Sequence, residues 1–317
     1  MISFDDLILK KHTADAAFAC GQNGVADIRE TADRKVEFVT HENGKQFALV
    51  KSAMGYPAYY PVHDVQIEKP LKAVLMDLDG TTVHSEHFWI WIIEQTTASL
   101  LGDPKFELEG SDEPHVSGHS VSEHLQYCID KYCPDKSVEE ARKWYFKHTN
   151  FEMNEIMEGR GKPNAFTPSP GIKDFLYELK DLGVKIGLVT SGLYEKAWPE
   201  ILDAFKTLNM GDPKEFYDAI ITAGHAIRPG EPGTLGELSP KPHPWLYAEA
   251  ARVGLGIPFE DRHSVVGIED SGAGVLSLML SGFAPLGISG GNIVDSGTQS
   301  LCMHYDDNFE QILARLK

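Results

Sequence analysis

From residue 71 onward, short runs of apolar residues alternate with longer amphipathic segments. The runs lack polar alternation, which is typical of strands that helices cover on both faces, as in a parallel sheet. Helical patterns, such as those over 172–182 and 244–253, supply the crossovers that parallel strands require. The predicted strands span residues 73–78, 184–190, 218–222, 264–268 and 284–288. The sequence therefore predicts a doubly wound α/β core built on a parallel sheet.

A helical insertion interrupts this pattern. About a hundred residues separate the first predicted strand from the second, which is too long for a simple crossover. Within this interval, Ser120 with Glu123 and Ser137 with Glu140 each form the pattern of a capping box at the start of an amphipathic helix. We therefore predict a helical cap domain over residues 83–164.

Residues 1–68 differ from the rest of the chain, because they are polar and carry one clear hairpin pattern over 35–50. We predict a small β-rich appendage there, and an α/β core made of residues 69–82 and 165–317. Three tyrosines of the appendage are expected to pack onto the core, with a dimer surface as the alternative: Tyr56, Tyr59 and Tyr60.

The charge of the chain argues against partners with a phosphate backbone. Lys and Arg number 29 against 47 Asp and Glu, which gives a formal net charge of −18, and no basic block compensates for it. We therefore expect no binding to nucleic acid or to anionic membranes. An anionic substrate would require local positive charge, from a metal ion or a well-placed Lys.

The cysteines and the N-terminus indicate a cytoplasmic protein. Four scattered cysteines are too few for a disulfide framework in a chain of 317 residues. The first residues are acidic where a signal peptide needs basic ones, and no apolar stretch approaches the roughly 18 residues of a membrane helix.

Two carboxylates stand at the end of the first predicted strand. The period of a strand places Asp77 and Asp79 on one face, at the carboxyl end of the sheet, where open parallel sheets bind ligands. Gly80 allows the backbone to turn sharply and to approach a ligand closely. Since two adjacent carboxylates repel each other, a hard divalent cation with oxygen ligands is their expected partner.

Polar residues after the other predicted strands complete a phosphate site. The hydroxyl and amide groups after the second strand suit phosphate oxygens, and they belong to Thr190, Ser191 and Gly192. Lys241 supplies a point charge between two prolines. Glu269 and Asp270 end a further strand with acids that suit a magnesium ion.

Together these four motifs resemble the haloacid-dehalogenase-like superfamily, in its phosphatase and β-phosphoglucomutase-like branch, over residues 71 to about 290. The resemblance implies that Asp77 is the nucleophile, which forms an aspartyl-phosphate, and that Asp79 is the general acid and base. Thr190 and Lys241 would hold and neutralise the transferring phosphoryl group. Asp77, the Asp79 backbone carbonyl and Asp270 would bind Mg²⁺, with Glu269 either a direct ligand or one step behind.

The resemblance extends to the cap that this branch carries after its first motif. Gly118 and His119 resemble the start of a cap helix, so His119 is a candidate substrate contact. The mutases carry an Arg shortly after that glycine, which grips the second phosphate of the substrate. Val121 stands at the matching position. The long segment 224–238, before Lys241, is expected to shape the entrance to the site.

These observations predict a magnesium-dependent phosphatase that acts on a small phosphorylated metabolite. Two alternatives remain, a phosphomutase of the β-phosphoglucomutase type and a non-catalytic binding protein on the same fold. The catalytic side chains are all present, and an inactive relative would typically have lost Asp77 or Asp79. Residues 1–68 could add a binding or oligomerising role.

Overall fold

A computed structural model describes residues 8–9, 18–51, 57–116, 121–224 and 239–317, without the side chains of 8–9, 113–114 and 122–123. Several predicted features lie outside these residues: Tyr56, Gly118, His119, Ser120 and the segment 225–238. The chain divides into two compact units. We call them the core unit (Met1–Thr82, Ser169–Ala197 and Gly211–Lys317) and the helical unit (Val83–Pro168 and Trp198–Met210).

Seven strands come first along the chain, three α-helices follow, and strands and α-helices are interleaved from residue 167 onward. The strands are β1 (Ile8–Leu9), β2 (Val25–Glu30), β3 (Val36–His41), β4 (Gln46–Val50), β5 (Ala58–Pro61), β6 (Ala73–Asp77), β7 (Val83–His84), β8 (Thr167–Pro168), β9 (Lys185–Val189), β10 (Ala219–Ile221), β11 (Val265–Glu269), β12 (Ala284–Ile288) and β13 (His304–Asp306). The α-helices are α1 (Glu86–Leu101), α2 (Val121–Tyr132), α3 (Val138–Met157), α4 (Ile172–Asp181), α5 (Tyr194–Leu208), α6 (Pro213–Phe216), α7 (Trp245–Glu249), α8 (Gly272–Leu280) and α9 (Phe309–Leu316). None of these helices has the length and apolarity needed to cross a bilayer, within the described parts of the chain.

The core unit contains a six-stranded parallel sheet, with the strand order β10-β9-β6-β11-β12-β13. Strands β6, β11 and β12 are buried along their whole length, which explains their continuous apolar sequences. The chain winds from β6 to one edge and then returns to build the other half. The doubly wound α/β fold is thus confirmed, and the carboxyl ends of β6 and β11 flank its switch point.

One predicted helix of the core unit is shorter than its sequence pattern indicates. The pattern over 244–253 becomes α7 followed by a wider π turn, Ala250–Gly254. This turn brings Gly254 against β10, where a Cβ atom would lie only 2.7 Å from the Cβ of Ala219. Packing against the sheet edge, rather than helical periodicity, therefore sets the backbone at this point.

The N-terminal residues form an antiparallel sheet with the order β1-β2-β3-β4-β5, which we call the N-terminal sheet. The predicted hairpin is its β3–β4 pair, in which Val36 lies opposite Val50. The sheet belongs to the core unit, because one of its faces packs against α8. This interface joins Val36, Phe38, Ala48, Val50 and Val65 to Val275, Leu276, Met279 and Leu280.

The helical unit is built mainly from α1, α2 and α3. Helix α3 begins at the predicted capping box, where the Ser137 hydroxyl accepts a hydrogen bond from the Glu140 amide at 3.2 Å. In α1, Phe88 and Ile92 are buried, whereas Trp89 and Trp91 are half-buried. The second part of α5 also belongs to this unit, which therefore extends beyond the predicted residues 83–164.

A fully buried carboxylate joins two segments of the helical unit. Asp112 accepts hydrogen bonds from Tyr127 and Lys131 of α2, each at 2.6 Å, and from the Tyr132 hydroxyl. The Glu109 amide donates another, at 2.9 Å. Burial raises the pKa of Asp112, but these hydrogen bonds outweigh it and hold the pKa well below its usual range. The carboxylate is thus ionised throughout the neutral range.

We predict that Asp112→Asn lowers the free energy of unfolding of the helical unit by about 1–3 kcal/mol near pH 7, because the buried donors lose a charged acceptor. Since folding lowers the pKa of Asp112, its contribution is complete above the unfolded pKa of about 4 and declines as the pH falls below it. Urea unfolding at about pH 7, 5 and 3.5 would measure this, with the exposed Asp135→Asn as control. The role of Asp112 would be contradicted if Asp112→Asn unfolded with the same free energy as wild type, or if the difference between the two free energies did not change with pH.

Candidate active site

Lys241 lies between two buried carboxylates at the carboxyl ends of β6 and β11. Its Nζ donates to Asp77 Oδ1, to Glu269 Oε1 at 2.7 Å and to the Val189 carbonyl at 3.4 Å. The side chains of these three charged residues are at most 7% exposed. Burial opposes the charge on Lys241, but the two carboxylates outweigh it and raise the pKa of the ammonium group. Lys241 therefore remains a buried cation.

The acids around Lys241 form a group that could hold a metal ion. Asp77, Glu269 and Asp270 each place one carboxylate oxygen within 4.8 Å of the others. Burial and the charge of Glu269 raise the pKa of Asp77 well above its usual range, and they raise that of Asp270 to about 7. A set made only of oxygen donors, with excess negative charge in a dry site, fits a hard divalent cation such as Mg²⁺.

Glu269 has protein donors on both of its oxygens. Its Oε1 accepts from Lys241 and from the Tyr247 hydroxyl. Its Oε2 accepts from the Ser271 hydroxyl at 3.0 Å and from the Ser271 amide at 3.4 Å. With its lone pairs engaged in this way, Glu269 is better suited to holding Lys241 in place than to binding a metal directly.

Asp270 is enclosed by two close backbone segments. A Cβ atom on Gly80 would lie 2.1 Å from Asp270 Oδ2, and one on Gly291 would lie 2.2 Å from the same oxygen. Gly80 also has a φ of +86°, which residues with a side chain rarely adopt. The Thr81 hydroxyl donates to Asp270 Oδ1 at 3.3 Å. Gly80 is therefore required both for the turn after β6 and for the position of Asp270.

Asp79 faces the residues that follow β9. Its Oδ2 accepts a hydrogen bond from Thr190 Oγ1 at 3.2 Å, and its Oδ1 lies 3.7 Å from Lys196 Nζ. Thr190 Oγ1 accepts in turn from the Gly192 amide at 2.9 Å. Asp79 and Lys196 are each about one third exposed, so both can be reached from solvent.

The structure brings the predicted site residues of the core unit to one edge of the sheet: Asp77, Asp79, Thr190, Ser191, Gly192, Lys241, Glu269 and Asp270. Ser191 joins two motifs, because its hydroxyl accepts from the Lys241 amide at 3.1 Å. His119 lies outside the described residues. Sequence reasoning missed Tyr247 and Lys196, which occupy ordinary helical positions with no distinctive spacing.

The fold and the site define a haloacid dehalogenase-like hydrolase. Residues 71–281 match the model of the haloacid dehalogenase-like hydrolases, so this chain belongs to that family. A β-phosphoglucomutase of Bacillus subtilis (strain 168) is 29% identical over 233 residues, which cover 70% of this chain and 84% of that protein. The family match begins after the N-terminal sheet.

Solved structures share the fold at low sequence identity. CbbY from Rhodobacter sphaeroides, in complex with phosphate, has a TM-score of 0.54 and 20% identity, covering 78% of this chain and 99% of that one. A predicted phosphoglycolate phosphatase from Haemophilus somnus 129PT has a TM-score of 0.58 and 18% identity, covering 78% of this chain and 98% of that one. These likenesses confirm the family fold.

We predict that Gly80→Ala lowers kcat/KM for p-nitrophenyl phosphate by about 10²-fold, because the new Cβ displaces Asp270 from the site. Gly183→Ala is the matched control, since Gly183 also has a positive φ, +72°, but no neighbouring atom lies within 4 Å of the added Cβ. The two variants share the backbone strain of about 1–2 kcal/mol. Equal losses of activity in both would show that strain, and not the position of Asp270, matters.

Proposed function

We propose that this chain is a magnesium-dependent phosphatase that hydrolyses a small phosphorylated metabolite through an aspartyl-phosphate on Asp77. One observation carries the proposal, namely the Lys241 ammonium group held between Asp77 and Glu269. A carboxylate can attack an anionic phosphoryl group only if the negative charges of both are offset. Lys241 supplies the compensating positive charge directly at the Asp77 carboxylate, the proposed nucleophile.

In the first proposed step, an Asp77 carboxylate oxygen attacks the phosphorus and the bond to the leaving oxygen breaks. Asp79 gives its proton to that oxygen. Thr190 and Lys241 hold the phosphoryl oxygens as their charge changes. The contact between Asp79 and Thr190 supports this arrangement, because it places the acid beside the group that would hold the phosphoryl oxygens.

In the second step, Asp79 takes a proton from water, which attacks the phosphorus of the aspartyl-phosphate. The bond between phosphorus and Asp77 breaks, inorganic phosphate leaves, and the Asp79 proton is restored for the next turnover. Both steps use the same in-line geometry at phosphorus, so the side chains need not be rearranged between them.

The metal site of the proposal uses the Asp77 and Asp270 carboxylates and the Asp79 backbone carbonyl. When bound there, Mg²⁺ would neutralise charge on the transferring phosphoryl group. Glu269 would support the metal site without binding the metal directly, because its oxygens already accept hydrogen bonds from Lys241, Tyr247 and Ser271. Gly80 and Thr81 would keep Asp270 in position.

A phosphomutase is the second candidate, and the similarity to the β-phosphoglucomutase of Bacillus subtilis favours it. Val121, at the start of α2, supports hydrolysis instead. It stands where the family resemblance places the Arg that grips a second phosphate in the mutases, and an apolar side chain cannot replace that cation. The net charge of −18 supports a small substrate rather than nucleic acid.

We predict that Asp77→Asn lowers kcat for p-nitrophenyl phosphate by at least about 10³-fold, because the amide cannot act as the nucleophile. The exposed Asp181→Asn, in the same unit, serves as the control. Phosphate release should require Mg²⁺ and stop with a chelator. A fully active Asp77→Asn enzyme would sink the mechanism. Isomerised sugar phosphate in place of free phosphate, in a panel of metabolites, would move the assignment to a mutase.

We also predict that Asp79→Asn releases one equivalent of p-nitrophenol in a rapid burst, followed by turnover about 10²–10⁴-fold slower than wild type. The nitrophenolate leaves without a proton, so Asp77 can still be phosphorylated, whereas the attacking water has lost its base. Stopped-flow absorbance would detect the burst. Steady turnover at the wild-type rate would remove Asp79 from the second step, and a slow first turnover without a burst would place its effect in the first step instead.

A further inference from the structure

The N-terminal sheet contacts two loops of the active site, although it precedes the residues matched by the family. We propose that this sheet positions the catalytic Lys241, through a hydrogen bond between Tyr60 and His243. The inference rests on the proposed role of Lys241 in holding the phosphoryl group. It gives the N-terminal segment a place in the phosphatase site that the family fold does not supply.

The contact itself is close and well oriented. The Tyr60 hydroxyl lies 2.8 Å from His243 Nδ1, and the two rings meet edge to face at 5.7 Å. His243 is buried and lies two residues after Lys241. The Trp245 ring also meets the Tyr60 ring edge to face, with the ring centroids 6.0 Å apart. Because a tyrosine hydroxyl can both donate and accept, the hydrogen bond between Tyr60 and His243 forms with either tautomer of the His243 ring.

The loop that carries Lys241 is fixed from two directions. On one side, Ser277 of α8 donates to the His243 carbonyl at 2.6 Å, and Ser281 donates to the Pro244 carbonyl at 2.8 Å. On the other side, Tyr60 holds the His243 ring. The two hydrogen bonds to backbone carbonyls hold the loop at a fixed distance from α8. The contact between Tyr60 and His243 holds the orientation of the loop, and a change in that orientation would move the Lys241 ammonium group relative to Asp77.

The N-terminal sheet is itself firmly attached to the core unit. Its buried face packs against α8, the helix that begins two residues after Asp270. The Ala32 amide also donates to the Ser296 carbonyl at 3.0 Å, in the loop that follows Gly291. Tyr60 lies on the edge strand β5, but this strand pairs with β4 in a sheet that is anchored on α8, and this anchoring gives a positioning residue the support that it requires.

A purely structural role for Tyr60 is the rival explanation, so the test needs a measurement that partial unfolding does not alter. The dissociation constant of inorganic phosphate meets this need, because unfolded protein lowers the binding stoichiometry and leaves the constant of the folded fraction unchanged. Phosphate also reports directly on Lys241, its proposed partner, and its binding requires no turnover. Calorimetry of the full chain with Mg²⁺ would measure it.

We expect Tyr60→Phe to weaken phosphate binding by about threefold to tenfold, which corresponds to the loss of one hydrogen bond. Tyr59→Phe is the matched control, because Tyr59 is the adjacent residue of β5, is 40% exposed and points to the opposite face. His243→Leu should weaken binding as much as Tyr60→Phe does. His243→Asn should restore it, because its side-chain oxygen can accept from Tyr60. The double variant Tyr60→Phe/His243→Leu should add nothing further.

Phosphate affinity within twofold of wild type in both Tyr60→Phe and His243→Leu would overturn the proposal, and so would independent effects that add in the double variant. If Tyr60→Phe does not fold, the comparison of His243→Asn with His243→Leu makes the same test. Failure of the proposed function would look different. In that case Asp77→Asn would keep its activity, whatever the affinity of Tyr60→Phe for phosphate.

Discussion

The arrangement of the site depends on one buried cation between carboxylates. Lys241 is held by Asp77 and Glu269, and without it their charges would lie uncompensated in a dry environment, a state that a protein interior does not tolerate. The excess of acid that remains around Asp270 is what makes the site suited to a divalent metal. The charged groups that must compensate one another in this buried site, Asp77 and Lys241, are also the groups that the proposed phosphoryl transfer would use.

This cation is held by elements that lie far apart in the sequence. Strand β6 supplies Asp77, strand β11 supplies Glu269, and α7 supplies Tyr247, which donates to Glu269. The winding of the sheet brings the ends of β6 and β11 together as neighbours. The site is thus a consequence of the strand order, and the N-terminal sheet adds a further contact at His243.

Much of this could be predicted from the sequence, and the remainder has physical reasons for being hidden. Asp77, Thr190 and Asp270 stand at the ends of buried strands, so their polar character stands out against apolar runs, and Lys241 is marked by the proline on each side of it. Tyr247 and Lys196 do not stand out, because tertiary packing alone brings them to the site. The β3–β4 hairpin carries a local turn pattern, whereas β2 and β5 join the N-terminal sheet without one.

The central claim is that Asp77 carries the phosphoryl group during turnover. Rapid acid quenching of the enzyme with ³²P-labelled substrate, followed by peptide mapping, tests this most directly. The account predicts an acid-stable label on the peptide that contains Asp77. Hydroxylamine should remove this label, as it removes an acyl phosphate, and the Asp77→Asn variant should carry no label. A label on another residue, or steady phosphate release with no labelled protein at any quench time, would contradict it.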